Sequence, residues 1–143
     1  MTALSADKKR VTRNVGGMKT ATILLADSQT VYEGAMIMRN SSGDPAVGAD
    51  TASCVFIGVA NAAVTSSTTN TTKFVTVEYG HEEWFASTGT FTKASIGANV
   101  CIADDQTIET AAAATNDVAV GILVQLETIN GTAGGWVRVA EFA

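Results

Sequence analysis

The sequence predicts an all-β protein, a single-domain β-sandwich or barrel, jelly-roll-like, with an extended N-terminal arm. Three observations predict it. Apolar residues come in short runs dominated by Val, Ile, Ala and Thr, which suit pleated strands, and turn signals separate them at intervals close to the spacing of small sandwiches and barrels. Only one stretch, Glu109-Thr110-Ala111-Ala112-Ala113-Ala114, favours helix, and it is too short to propagate. The third observation is the stretch Val100–Ile108, where two apolar runs flank the acidic corner Asp104-Asp105, the pattern of a strand that reverses on itself.

Taken in order, residues 1–19 read as a basic flexible arm and residues 20–143 as the β domain. The arm is polar and aperiodic, with Gly16-Gly17 as a breaker; a short helix over Ser5–Arg13 has too thin an apolar stripe to dock. Strands are expected at Thr20–Ala26 and Val31–Arg39, the second bent at Gly34. The cluster Asn40–Pro45 is a turn containing the single proline, and Ala46-Val47 resumes a strand. Cys54–Ala60 is continuously apolar and reads as a central strand. Ser66–Thr72 is a hydroxyl-rich surface loop. Lys73–Tyr79 alternates, with Val75, Val77 and Tyr79 on the apolar side. A bend at Gly80-His81 leads to Glu82–Ala86. Thr90–Gly97 alternates as an approach strand to the acidic hairpin. Val118–Val124 is the most apolar strand, and Trp136–Ala140 closes the chain after a glycine-rich turn.

Composition narrows the function classes. The chain has 143 residues, enough for a core without staples, and charged residues make up 16%, against roughly 25% in typical soluble domains. Net charge is −5, unevenly spread. The first twenty residues hold Lys8, Lys9, Arg10, Arg13 and Lys19 against Asp7, a net of +4 that leaves −9 for the rest. An acidic body argues against a nucleic-acid partner. No apolar run reaches the ~20 residues of a membrane helix, and the polar start reads as a protein without a signal peptide, soluble and made in a cytoplasm. The Asn-x-Ser/Thr triplets at Asn40, Asn70 and Asn130 then follow from Thr/Ser richness. Cys54 and Cys101 sit in apolar runs and read as free thiols behaving as small hydrophobes, with a mutual disulfide as the alternative.

No motif carries catalysis. His81-Glu82-Glu83 holds the only histidine, whereas a zinc-protease helix needs two; the plain reading is a solvated turn. Asp104-Asp105 lacks the spacing and third ligand of a calcium loop and reads as turn residues capping their own backbone. Glu82, Glu83 and Glu109 are candidate paired carboxylates that nothing in the sequence brings together. Trp84, Phe85 and Phe91 read as core anchors, with an aromatic binding platform as the alternative. The expectation is a non-enzyme with no catalytic residues, no cofactor and no metal. The arm can lie along an acidic partner or remain solvated.

The ordered segments resemble the capsid decoration (cement) proteins of tailed bacteriophages. The matching stretches are Val31-Tyr32-Glu33-Gly34, Phe56–Ala60, Val75-Thr76-Val77, Ala94–Gly97 leading to Val100 and Asp104-Asp105-Gln106-Thr107, Ala119-Val120-Gly121, and Trp136–Val139. They span residues 20–140 and are strand and turn motifs. The resemblance implies a β domain that binds the outer surface of an assembled phage head and clamps neighbouring major capsid subunits. Its partners would be the major capsid protein and itself, as homodimer or homotrimer, with no nucleic acid and no membrane; its location would be the outer surface of the virion. The arm cations Lys8, Lys9, Arg10, Arg13 and Lys19 are then the expected capsid contacts. The alternative is a non-enzymatic sugar- or protein-binding β module on a tail or fibre, using Trp84 and the hydroxyl loop.

Overall fold

The computed structural model describes residues 3–88 and 91–140. Residues 1–2, at the head of the arm, Thr90, at the head of the expected approach strand, and residues 141–143, at the end of the body, lie outside the described residues. Thirteen strands are described: β1 (Thr12–Arg13), β2 (Lys19–Leu24), β3 (Thr30–Val31), β4 (Met36–Arg39), β5 (Pro45–Val47), β6 (Val55–Ala60), β7 (Val64–Thr65), β8 (Phe74–Tyr79), β9 (Glu82–Ser87), β10 (Asn99–Ile102), β11 (Thr107–Thr110), β12 (Ala119–Leu126) and β13 (Gly134–Val139). Among the described residues helical geometry is confined to single 3₁₀ turns at Val15–Gly17 and Lys93–Ser95. The all-β class is as the composition predicts.

Five strands close into a barrel in the order β9-β11-β10-β12-β13, with β13 returning to β9. All neighbours are antiparallel except β9 and β11, where Thr107 lies opposite Ala86. The hairpin over Val100–Ile108 forms as expected, Ile102 facing Ile108 across β10 and β11. A second sheet runs β2-β8-β6-β4-β5, and β3 pairs with β7 as a short ribbon. Ile37, Phe56 and Val77 of the second sheet join Phe85, Ile102, Ile108, Leu123 and Val137 of the barrel in one apolar core. Because side chains alternate along a strand, β8 buries Val75, Val77 and Tyr79 in this core and leaves Phe74 exposed.

Several expectations change. The approach strand is a 3₁₀ turn over Lys93–Ser95 instead, closed by Thr92 and Ser95 in a reciprocal capping box. Val31–Arg39 is two strands, β3 and β4. Gly34 separates them at φ +89°, and the Lys8 carbonyl occupies the space of a Cβ there. The hydroxyl loop holds two buried polar residues, Ser66 and Asn70. Asn70 Nδ2 donates to the Leu25 and Lys73 carbonyls at 2.7 and 2.9 Å, pinning the loop to β2 and β8.

His81 is the clearest correction. It is 1% exposed, not a solvated turn. Gly80 and His81 carry the chain from the second sheet directly into the barrel, so the corner lies between the layers. Gly80 N–H donates to the Val139 carbonyl at 2.9 Å, and Val139 N–H donates to the His81 carbonyl at 2.8 Å. Gly17 covers the corner from outside.

Candidate functional site

The polar chemistry of the molecule gathers where residues 4–13 cross the body. These residues are extended, not helical, because their backbone groups are committed to the body. Leu4 N–H donates to Asp105 Oδ1 at 2.8 Å, and Lys8 N–H to the Glu33 carbonyl at 2.9 Å. Asp7 Oδ1 accepts Glu33 N–H at 2.9 Å, and the Val11 carbonyl accepts Trp84 N–H at 3.0 Å. Thr12 and Arg13 then pair with Glu83 and Glu82 as β1 alongside β9. The flexible arm of the sequence reading is therefore a strap over the barrel for its described part, and the second sheet begins at Lys19.

The cations of the strap meet different fates. Arg10 turns inward with its side chain 5% exposed. Its Nε donates to the Gly34 carbonyl at 2.7 Å and lies 3.5 Å from Glu83 Oε2, and its guanidinium sits 4.8 Å from the Phe85 ring. It also reaches the Asp105 and Gln106 carbonyls at 3.5 Å. Arg13 crosses the outer face: Nε donates to Glu82 Oε1 at 2.7 Å, Nη1 to Gln125 Oε1 at 3.0 Å, and the guanidinium covers the Trp136 ring at 4.2 Å. Lys8 Nζ donates to Gln106 Oε1 at 3.5 Å. Lys9 is 93% exposed, 3.6 Å from Glu33. Lys19 opens β2, opposite Tyr79 of β8.

Glu83 is the hub of the buried cluster. Its other oxygen, Oε1, lies 2.8 Å from His81 Nε2. Burial pushes the imidazole down, but the hydrogen bond and charge of Glu83 outweigh it and His81 stands above its ordinary value. Burial holds Asp105 above the usual carboxylate range, with the Leu4 N–H opposing it. Glu82 goes the other way: burial disfavours its charge, but hydrogen bonds from Arg13, Asn14 and Arg138 hold it below that range. A cavity of about 350 Å³ lies between strap and second sheet, lined by Lys8, Lys9, Arg10, Glu33, Glu78 and Glu83.

The remaining candidates are placed as follows. Glu82 and Glu83 are adjacent in a strand and project to opposite faces, so they do not flank a common bond. Glu109 lies beside Asp50 on β11; burial and the Asp50 charge push its carboxyl up. Asp104 caps its own turn as expected, Oδ1 accepting Gln106 and Thr107 N–H at 2.9 Å, whereas Asp105 is spent on Leu4. Phe85 is in the core and Phe91 packs against it. Trp84 and Trp136, cross-strand neighbours, pack with Ala86 on the outer face, and Trp84 Nε1 donates to the Glu127 carbonyl at 2.9 Å. Both cysteines are free; Cys101 is buried, its thiol pushed up to about 11 by burial with the charges of Asp117, Glu109 and Asp50, and Cys54 is half-buried. Among the described residues no cluster of three or more metal-ligating side chains occurs, and no helix is long and apolar enough to cross a membrane.

Sequence reasoning missed the buried Arg10–Glu83–His81 cluster. Its signal was two adjacent carboxylates within an otherwise apolar strand of a weakly charged body, with two arginines unaccounted for upstream. What the fold and its polar seat define is an all-β barrel domain strapped by its own basic N-terminal segment. No family model matches the sequence, and no curated protein matches it.

Proposed function

We propose that the protein is a structural capsid decoration protein, which binds the outer surface of an assembled phage head and clamps neighbouring major capsid subunits. One observation carries the reading. Two of the stretches that carry the resemblance, Tyr32-Glu33-Gly34 and Asp104-Asp105-Gln106, both hold the basic strap, through Lys8 and Arg10 on the first and Leu4, Lys8 and Arg10 on the second. Two of the ordered motifs thus meet at one part of the molecule, the seat of the strap. The sparsely charged, threonine-rich surface is in keeping with a protein held against other protein. Binding of this kind needs a well-packed interface of about 1,600 Å² in total, and repeated copies on a symmetric shell add avidity.

The strap's division of labour refines which cations meet the shell. Arg10 is consumed internally, so Lys9, with its side chain in solvent, is the cation offered outward. The alternative of a sugar-binding module finds less support, because Trp84 is 7% exposed and packed against neighbours instead of presenting a ring face. The test is electron microscopy of purified heads mixed with the protein. Stoichiometric density on the outer shell is expected, and Lys9→Glu should lower its occupancy most at low salt, where charge pairing is least screened. Bare shells at saturating protein would refute the proposal.

A further inference from the structure

A closed barrel has no edges, and the other strand ends of this molecule are short or covered. β1, β3 and β7 have two residues each. β5 has three, begins with Pro45, and its Pro45 carbonyl accepts Ala26 N–H at 2.8 Å. β2 differs. It is six residues long, and among the described residues it is paired along one side only, by β8.

Two hydrogen bonds show which backbone groups β2 leaves open. Leu25 N–H donates to the Lys73 carbonyl, which turns the odd-numbered residues of β2 toward β8. Asn61 N–H donates to the Thr76 carbonyl, which turns the even-numbered residues of β8 toward β6, in agreement with the first. Antiparallel ladders alternate, so Thr20, Thr22 and Leu24 direct their N–H and C=O groups to the open edge. Ala26, next in that series, is the residue taken by Pro45, so the open edge stops where β5 begins. β2 carries none of the usual guards: it has no proline, glycine or bulge, and its one charge, Lys19, stands at its end. Beside it, the cross-strand pair Leu24 and Phe74 is 40% and 52% exposed.

We infer that β2 pairs antiparallel with β2 of a second copy of this chain, about a two-fold axis at Thr22. In that register Thr22 faces Thr22 of the second copy and Thr20 faces its Leu24, so every outward N–H and C=O of the three residues finds a partner. Lys19 falls opposite Leu25 of the second copy, and no like charges oppose. The ends match as well. Where Ala26 and Pro45 close the edge of one copy, the other reaches Met18, whose N–H donates back to the Val15 carbonyl at 3.0 Å as its chain turns away. Pairing joins the two five-stranded sheets into one of ten strands. The contact is isologous, so it closes at a dimer and does not propagate.

The test needs only the purified full chain, so its failure is separate from any failure to bind heads. Sedimentation across a concentration series should show a species of twice the single-chain mass. Amide exchange at Thr20, Thr22 and Leu24 should slow as that species forms. Thr22→Lys and Thr22→Glu each set like charges face to face across the axis and should weaken association at least about tenfold, whereas their equimolar mixture should restore it. Thr22→Pro removes a donor that the β8 ladder does not use and should also give a folded single chain. A wild-type chain that stays single at every concentration, unprotected amides at the three positions, or a mixture that does not recover would overturn the inference; the first is the result a foreign strand on this edge would give.

Discussion

Glu82 and Glu83 are neighbours in sequence, and each meets an arginine from the same strap, yet they face opposite sides of β9. On the outer face Glu82 lies between Arg13 and Arg138, its direct cross-strand partners, with Arg138 64% exposed. On the inner face Glu83 is 2% exposed and held between Arg10 and His81. The outer pairing follows from strand register, and although Glu82 itself is buried, its arginine partners reach solvent, where water competes for their charge. The inner one joins groups almost wholly withdrawn from water, so each depends on the others remaining in place. The same residue types thus make a partly solvated pairing on one side of a strand and a buried latch on the other.

Removing the charged groups one at a time separates the two faces. The largest effect is expected for Arg10→Ala, which strands the Glu83 charge in the interior. Chemical denaturation should show a loss of about 3–5 kcal/mol, with the strap opened to trypsin at Lys8 and Lys9. A loss under about 1 kcal/mol would place Arg10 with the surface pairs. A smaller, pH-dependent effect is expected at His81, which faces Glu83 and, more distantly, Glu78. Its folded value is raised above the ordinary 6.5, so its stabilisation is complete below that value and fades as pH rises through the folded value. The stability advantage of the wild type over His81→Gln should therefore be greatest below pH 6.5 and shrink toward alkaline pH. An advantage that grows with pH would mean that His81 is held neutral. The smallest effect belongs to Arg138→Ala, about 0–1 kcal/mol and sensitive to salt. A larger, salt-independent loss would erase the distinction between the faces.

Much of the scaffold was legible because strand periodicity is local. The Val75/Val77/Tyr79 face, the Cys54–Ala60 central strand and the hairpin at Asp104-Asp105 each follow from side-chain alternation or turn chemistry within a few residues. The errors lie where the governing contact is distant in sequence. Thr92–Gly97 alternates like a strand, but the segment is taken up by a capping box and a 3₁₀ turn. His81-Glu82-Glu83 looks like a hydrophilic turn until a strap some seventy residues upstream supplies Arg10. The basic segment looked unable to dock since it has no apolar stripe; it docks through backbone hydrogen bonds and one buried guanidinium, neither of which leaves a periodic signal.

The all-β class, the acidic turn and the basic start could be read from the chain alone, because they rest on local propensity, turn residues and composition. That five strands close into a barrel, that Cys54 and Cys101 stay free, that Arg10 and His81 go inside, and that among the described residues β2 is paired on one side alone are settled by the folded arrangement. Strand partners and burial are set by which distant segments meet, and a single chain read along its length carries no record of that.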